Sequence, residues 1–526
     1  MEYDIVINNG YVVFGNKNKA ENINIGIVKD KIRKISKEFL QGKIVIDATN
    51  KIVSPGFIDP HSHSDASIFF NENMTSKIYQ GVTTEINGNC GVGIFPIKEN
   101  FYNECIQFIR EHFILPNEDF RFSKNFSISD IRKKLEVEKF VTNQGYLIAT
   151  GALRVSVDGF NTEELSDEKL KLMLEILKEE LEKGALGVSF GLIYQPGNYM
   201  SKREIVEIMK VVASFDGIAS FHMRNEGANI ISSLKEIITY ARISGCKTNV
   251  SHLKIMGKDN WYNSKTILEL IEKANKDGLK LTYDQYPYNA TSTTLMVLFP
   301  DDIFQGNIKE FMVQIDKLSL EDKNRILENI EKRGGAKKIM VSNCSILKEE
   351  FLGKTLFEIE KNLNLSTIET LLYIMKKTQG RVEAIYFSMV EEDIENFIKF
   401  PLGVIGSDGT SISNEKMDVF GNPHPRNFTT FPKFIEINRK KNYFSLEEMI
   451  YKITKKTADI YSIKGRGEIK IDNFADIVIF DYEDIQDTST FIKPFTIPKG
   501  IEYVLVNGKI VVRRNKYIDI KNGIFI

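Results

Sequence analysis

Residues 1–54 alternate apolar and polar positions in short runs: YDIVINNGYVVF, ENINIGIVKDKIRKI and KIVIDATNKIV, separated by Asn, Gly and Asp. A period of two puts the apolar side chains on one face of a strand, and the intervening residues favour turns, so this stretch predicts a small antiparallel β unit. The far end has the same texture, in ADIVIFD (475–481), IEYVLVNGKIVV (501–512) and YIDIKNGIFI (517–526). Two β-rich ends around a different middle predict one small β-sandwich domain built from both termini, residues 1–56 and 465–526.

The middle changes period. Helical patterns such as DEKLKLMLEILKEELEKG (167–184) and KREIVEIMKVVASF (202–215) alternate with short apolar strand candidates. Those candidates are KIVSPGFID, VTTEING, GYLIAT, GALGVSF, GIASFH, KTNVSH, LKLTYDQ and LGVIGSD. About eight strands separated by helices is the count of a TIM-type (β/α)8 barrel, here over residues 57–464; an open doubly wound sheet is the alternative. The gap between LKLTYDQ and LGVIGSD exceeds a hundred residues and holds charged, mostly helical stretches (IKEFMVQIDKL, DKNRILENIEKRGG). We read a helical insertion there, before the last barrel strand, at about 300–345.

Composition narrows the class of partner. Lys+Arg 70 against Asp+Glu 71 leaves a formal charge of −1, which predicts no attraction to nucleic acid or an anionic membrane. No apolar run approaches the roughly 18 residues of a spanning helix, and the start MEYDIVINNG lacks the layout of a secretory leader. Four cysteines with no close pair point to a reducing compartment. A cytoplasmic location is the expectation, with oligomeric state unspecified.

The candidate chemistry sits at the ends of the strand candidates. His61 and His63 follow the first, Cys90 (in NGNCG) the second, His222 the fifth, His252 the sixth and Asp408 (in IGSDGTS) the eighth. In a barrel all strand C-termini open on one face, where active sites are built. Four of the six histidines, one Cys and one Asp thus converge on one mouth. Imidazole, thiolate and carboxylate are donors that suit zinc. His112, Cys105, Cys246 and Cys344 have no companion donors and read as structural.

HSHSD, GNCG, GLIYQPG, HMRNEG, SHLKIMG, YPYNATST, GSDG and HPRNFTTF follow one another in an order that resembles the amidohydrolase superfamily, most closely its N-acyl-D-amino-acid deacylase (D-aminoacylase) branch. The resemblance implies zinc-dependent hydrolysis of the amide of an N-acyl-D-amino acid. It implies that Cys90, His222 and His252 hold a tight zinc, and that His61, His63 and Asp408 form a second, weaker site. It makes Asp408 the general base and then the acid for the leaving amine. Lys254, Tyr194, Tyr286, Ser292 and, less directly, Arg426 match substrate-binding positions; Lys254, two after His252, should share its side of the strand. Departures from the family pattern are Thr150-Gly151 for His-Gly, Thr291 within Ala290-Thr291-Ser292, and Leu253 where a second His is common. A D- or isoaspartyl-type dipeptidase stays open. A cyclic amidohydrolase of the dihydroorotase or hydantoinase type is disfavoured, because GALGVSFGLIY carries no bridging Lys.

Overall fold

The alternating runs at the two ends of the chain pair with each other. Ile52–Pro55 runs antiparallel to Ile477–Phe480, with Ile52 opposite Phe480 and Pro55 opposite Ile477. This joins the N-terminal strands, beginning with Tyr3–Val12, to C-terminal strands Ile501–Val506, Lys509–Arg513 and Lys516–Tyr517 in one nine-stranded sheet. Inward positions from both ends, among them Ile5, Ile25, Ile46, Ile477 and Leu505, meet in a single core. The computed structural model describes residues 2–300, 302–303, 308–344, 348–413 and 417–526.

Between these ends lies the barrel. Its strands are β1 (Phe57–Asp59), β2 (Val82–Asn87), β3 (Asn143–Tyr146, continued by Ile148–Ala149), β4 (Gly187–Gly191), β5 (Ile218–His222), β6 (Lys247–Val250), β7 (Leu281–Gln285) and β8 (Gly403–Ile405). Successive strands pair in parallel from β1 to β8. The ring closes just past the ends of β1 and β8. Asp408 N donates to His61 O at 2.9 Å and His63 N donates to Gly409 O at 2.9 Å. Below this seam, buried Lys77 donates to Asp59 Oδ2 at 2.6 Å and to Ser407 Oγ, and Asp59 accepts from Ser407 N at 2.9 Å and His61 N at 3.2 Å. A buried carboxylate thus ties the two turns that carry His61 and Asp408, with Lys77 as its counter-charge.

The segment between β7 and β8 differs from the helical insertion expected at about 300–345. It begins earlier, ends later and contains a sheet: Thr291–Thr294, Val382–Tyr386 and Ile339–Cys344 are antiparallel, with Val382–Tyr386 in the middle. Helices Leu320–Lys332, Leu356–Leu363 and Thr367–Thr378 back it, over a core that includes Leu298, Phe311, Ile330, Leu371 and Tyr386. Strands of four to six residues carry too few alternations to stand out from the charged helices around them. Residues 301, 304–307 and 345 of the expected insertion lie outside the described residues. Among the described residues, no helix is long and apolar enough to cross a membrane.

Candidate metal centre and substrate pocket

Neither histidine of HSHSD lies on a strand: β1 ends at Asp59, and His61 and His63 occupy the turn beyond it. The turn still brings the rings together, with centroids 5.3 Å apart. Cys90 likewise lies past the end of β2, in a loop that crosses under β3 and β4. Gly88 and Gly91 make that crossing possible: a Cβ at Gly88 would meet Leu147 O at 2.1 Å, and one at Gly91 would meet Gly191 N at 2.3 Å. Three site residues, Cys90 (φ 56°), His252 (φ 36°) and Asp408 (φ 50°), hold left-handed backbone. That costs on the order of 1–2 kcal/mol each for a residue with a Cβ, and such strain concentrates at functional sites.

The donors converge. Cys90 Sγ lies 3.2 Å from both His61 Nε2 and His252 Nε2. His252 Nε2 is 3.0 Å from His222 Nδ1. Asp408 Oδ1 lies 3.4 Å from His61 Nε2 and 3.1 Å from His63 Nε2. Ligand atoms of His61, Cys90, His252 and Asp408 all fall within 4.8 Å of one another, and so do those of His222, Glu226 and His252. Both groups share His252.

The charges are arranged as a cation would require. Burial alone would raise the Cys90 thiol, but the His252 and His61 imidazoles beside it hold it well below the usual range. Burial opposes ionisation of Asp408 too, and Arg426 and His252 pull its carboxyl well below the ordinary value. Against burial, Asp284 and Cys90 raise His61 well above its usual value, and Asp408 and Cys90 raise His63 to about 9. Two donors held toward their anionic forms beside several imidazoles make a charge arrangement that suits a divalent cation. The nitrogen–sulfur–carboxylate set fits zinc.

Outer partners orient the imidazoles. His61 Nδ1 is 3.0 Å from Asp284 Oδ1, which turns Nε2 toward Cys90. Asp284 also accepts from His252 N at 2.9 Å and from Asn249 Nδ2 at 2.7 Å. Glu226 lies 3.2 Å from His252 Nδ1 and 3.6 Å from His222 Nε2. Asp284 and Glu226 are the site residues that the sequence reading passed over. TYDQ did place an acid at the end of β7, and HMRNEG a Glu four after a His.

The expected substrate contacts divide. Lys254 does not share a strand with His252, because β6 ends at Val250. It is buried, donates to Glu226 Oε1 at 2.6 Å, and lies 2.8 Å from His252 Nδ1. Arg426 pairs with Asp408 Oδ2 at 2.6 Å, and its guanidinium lies 5.0 Å from the Tyr286 ring centroid. The Tyr286 hydroxyl is buried and has no hydrogen-bond partner among the described residues. Ser292 presents its carbonyl to Arg426 Nη2 at 3.4 Å. The Tyr194 ring stands edge-on to His222 at 4.9 Å, and its hydroxyl lies 3.3 Å from Thr293 Oγ1. His112 packs behind Tyr194, its Nδ1 2.8 Å from Phe108 O, and burial pushes it down to about 4. Cys105, Cys246 and Cys344 are buried away from the donor cluster.

A profile of the amidohydrolase family matches residues 52–511, covering the barrel and its flanking strands. The chain belongs to the amidohydrolase family. It is a metal-dependent hydrolase of linear amides. It is 28% identical over 508 residues to a D-aminoacylase of Alcaligenes xylosoxydans xylosoxydans, spanning 96% of this chain and 94% of that one. Among solved structures, an N-acyl-D-glutamate deacylase of Bordetella bronchiseptica, complexed with zinc and a phosphonate mimic of the tetrahedral intermediate, aligns with a TM-score of 0.82 at 25% identity, over 97% of both chains. A D-aminoacylase described as having a binuclear metal centre aligns with a TM-score of 0.81 at 28% identity, over 99% of both chains. This amidohydrolase therefore shares the architecture of the deacylases along nearly its whole length.

Proposed function

We propose that this amidohydrolase hydrolyses N-acyl-D-amino acids to a free D-amino acid and a carboxylate. Cys90, His222 and His252 hold a tight zinc, and His61, His63 and Asp408 a second, weaker site. The observation that carries the reading is one juxtaposition. A Cys–His–Asp donor cluster spans less than 4.8 Å, and Arg426 is bonded directly to its carboxylate. Zinc bound by this set supplies Lewis acidity toward the amide carbonyl and a lowered pKa for the attacking water.

The chain's own groups do the rest. The substrate α-carboxylate requires donors beside the donor cluster, and Arg426, the buried Tyr286 hydroxyl and Lys254 are there, with Ser292 next to Arg426, whose guanidinium its carbonyl accepts from. Arg426 keeps Asp408 anionic but weakly basic. A substrate carboxylate that competes for Arg426 loosens the pair and raises the basicity of Asp408 at the moment a base is needed. Asp408 takes the proton of water at Oδ1 and returns it to the leaving amine. Tyr194, fixed against His222, lines the scissile region. Four buried cysteine thiols support a reducing, cytoplasmic setting.

The test is a screen of N-acetylated amino acids in matched D and L pairs, with dipeptides alongside, in the presence of zinc. The reading expects hydrolysis of D-substrates over their L-partners by roughly 10²-fold or more in kcat/KM. Equal turnover of both hands, or cleavage of dipeptides alone, would overturn it.

A further inference from the structure

The deacylase reading gives partners to the scissile amide and to the α-carboxylate, and none to the D-side chain. The inserted sheet supplies one. On its middle strand, Val382, Ala384 and Tyr386 point into the lobe's own core, so Glu383 and Ile385 project from the opposite face. That face turns to the barrel mouth. Ser292, paired with Ile385, gives its carbonyl to Arg426, and Ala290, packed against Ile385, accepts from His424 Nε2 at 3.0 Å. Glu383 sits on this face opposite Thr294 and Asn343.

Its side chain is exposed and makes no hydrogen bond or ion pair among the described residues. The surrounding protein raises its carboxyl above the ordinary value, against the pull of Arg426 and His63. Those two cations are already engaged by Asp408, and Lys254 is engaged by Glu226. An exposed carboxylate on the face toward the barrel mouth, with no counter-ion of its own among the described residues, is a receptor for a positive group.

Building on the deacylase reading, we propose that Glu383 selects the substrate side chain, and that the site takes N-acyl-D-amino acids with a cationic side chain of the lysine or arginine class and rejects acidic ones. A charge-assisted hydrogen bond to a partly desolvated carboxylate is worth roughly 10- to 100-fold in affinity, and an acidic side chain meets a like charge instead.

The test compares kcat/KM for N-acetyl-D-lysine, N-acetyl-D-methionine and N-acetyl-D-glutamate in zinc-loaded wild type, Glu383→Gln and Glu383→Lys. Wild type should rank lysine above methionine above glutamate. Glu383→Gln should lower the lysine-to-methionine ratio by roughly 10- to 100-fold, and Glu383→Lys should place glutamate above lysine. Each ratio is internal to one sample, so a loss of folded enzyme does not move it. Wild-type preference for glutamate, or a lysine-to-methionine ratio that stays within about twofold in both variants, would overturn the assignment of Glu383 and leave the deacylase reading standing. Turnover of none of the three substrates would overturn both.

Discussion

The barrel mouth and the inserted lobe face each other across one cleft and are built on opposite terms. At the mouth the donors and the charged groups around them are held by one another. His61 leans on Asp284, His252 on Glu226, Lys254 on Glu226 and Asp408 on Arg426, and three residues hold strained backbone. Across the cleft the lobe presents exposed Glu383 and partly exposed Ser292, Thr293 and Thr294 on a short sheet with its own core. A site that must hold a cation needs donors fixed by outer partners, whereas a surface that discriminates among side chains needs an open group. Chemistry should therefore be lost abruptly by changes at the mouth and graded by changes on the lobe.

The sharpest contrast is expected at Asp408. Asp408→Asn keeps the shape of the side chain and removes the base, so turnover should fall roughly 10³-fold while the fold and the zinc at Cys90, His222 and His252 persist. Circular dichroism and metal analysis beside steady-state kinetics check this, and near-normal rates would remove Asp408 from the role. Next comes Lys254→Met, which strands Glu226 as a buried charge; each side chain of this pair is 2% exposed. Breaking such a pair should cost about 3 kcal/mol in stability, read by denaturant unfolding, as well as activity. An unchanged unfolding midpoint would mean that the pair does not hold the mouth together. The smallest effect belongs to the lobe. Thr293→Val removes the 3.3 Å contact to the Tyr194 hydroxyl and should raise KM about threefold with little change in kcat. A large loss of kcat would show that the lobe takes part in the chemistry.

The same division governs what the sequence made legible. The paired β ends, the barrel and the six candidate donors could be read because each follows a local pattern: period-two runs, strand–helix alternation, and His, Cys or Asp at the end of an apolar segment. The structure brings those donors together for a reason the pattern could not show. All but His222, which ends β5, sit in turns beyond the strands, and the hydrogen bonds between residues 61–63 and 408–409 that close the ring set the spacing of His61, His63 and Asp408. Lys254 was misplaced because the strand ends four residues before it. Glu226, Asp284 and Glu383 were missed because a lone acid in a sequence carries no mark of what it faces. The inserted sheet was missed because its strands are short and pair across about ninety residues of charged helix.

The central claim is that donors drawn from five barrel strands share a cation. Metal analysis of the purified protein and of Cys90→Ala tests it most directly. The account predicts at least about one zinc per wild-type chain and its loss from the variant, with the fold retained. A wild-type protein that binds no stoichiometric metal when zinc is supplied, or a variant that retains all of it, would contradict the account.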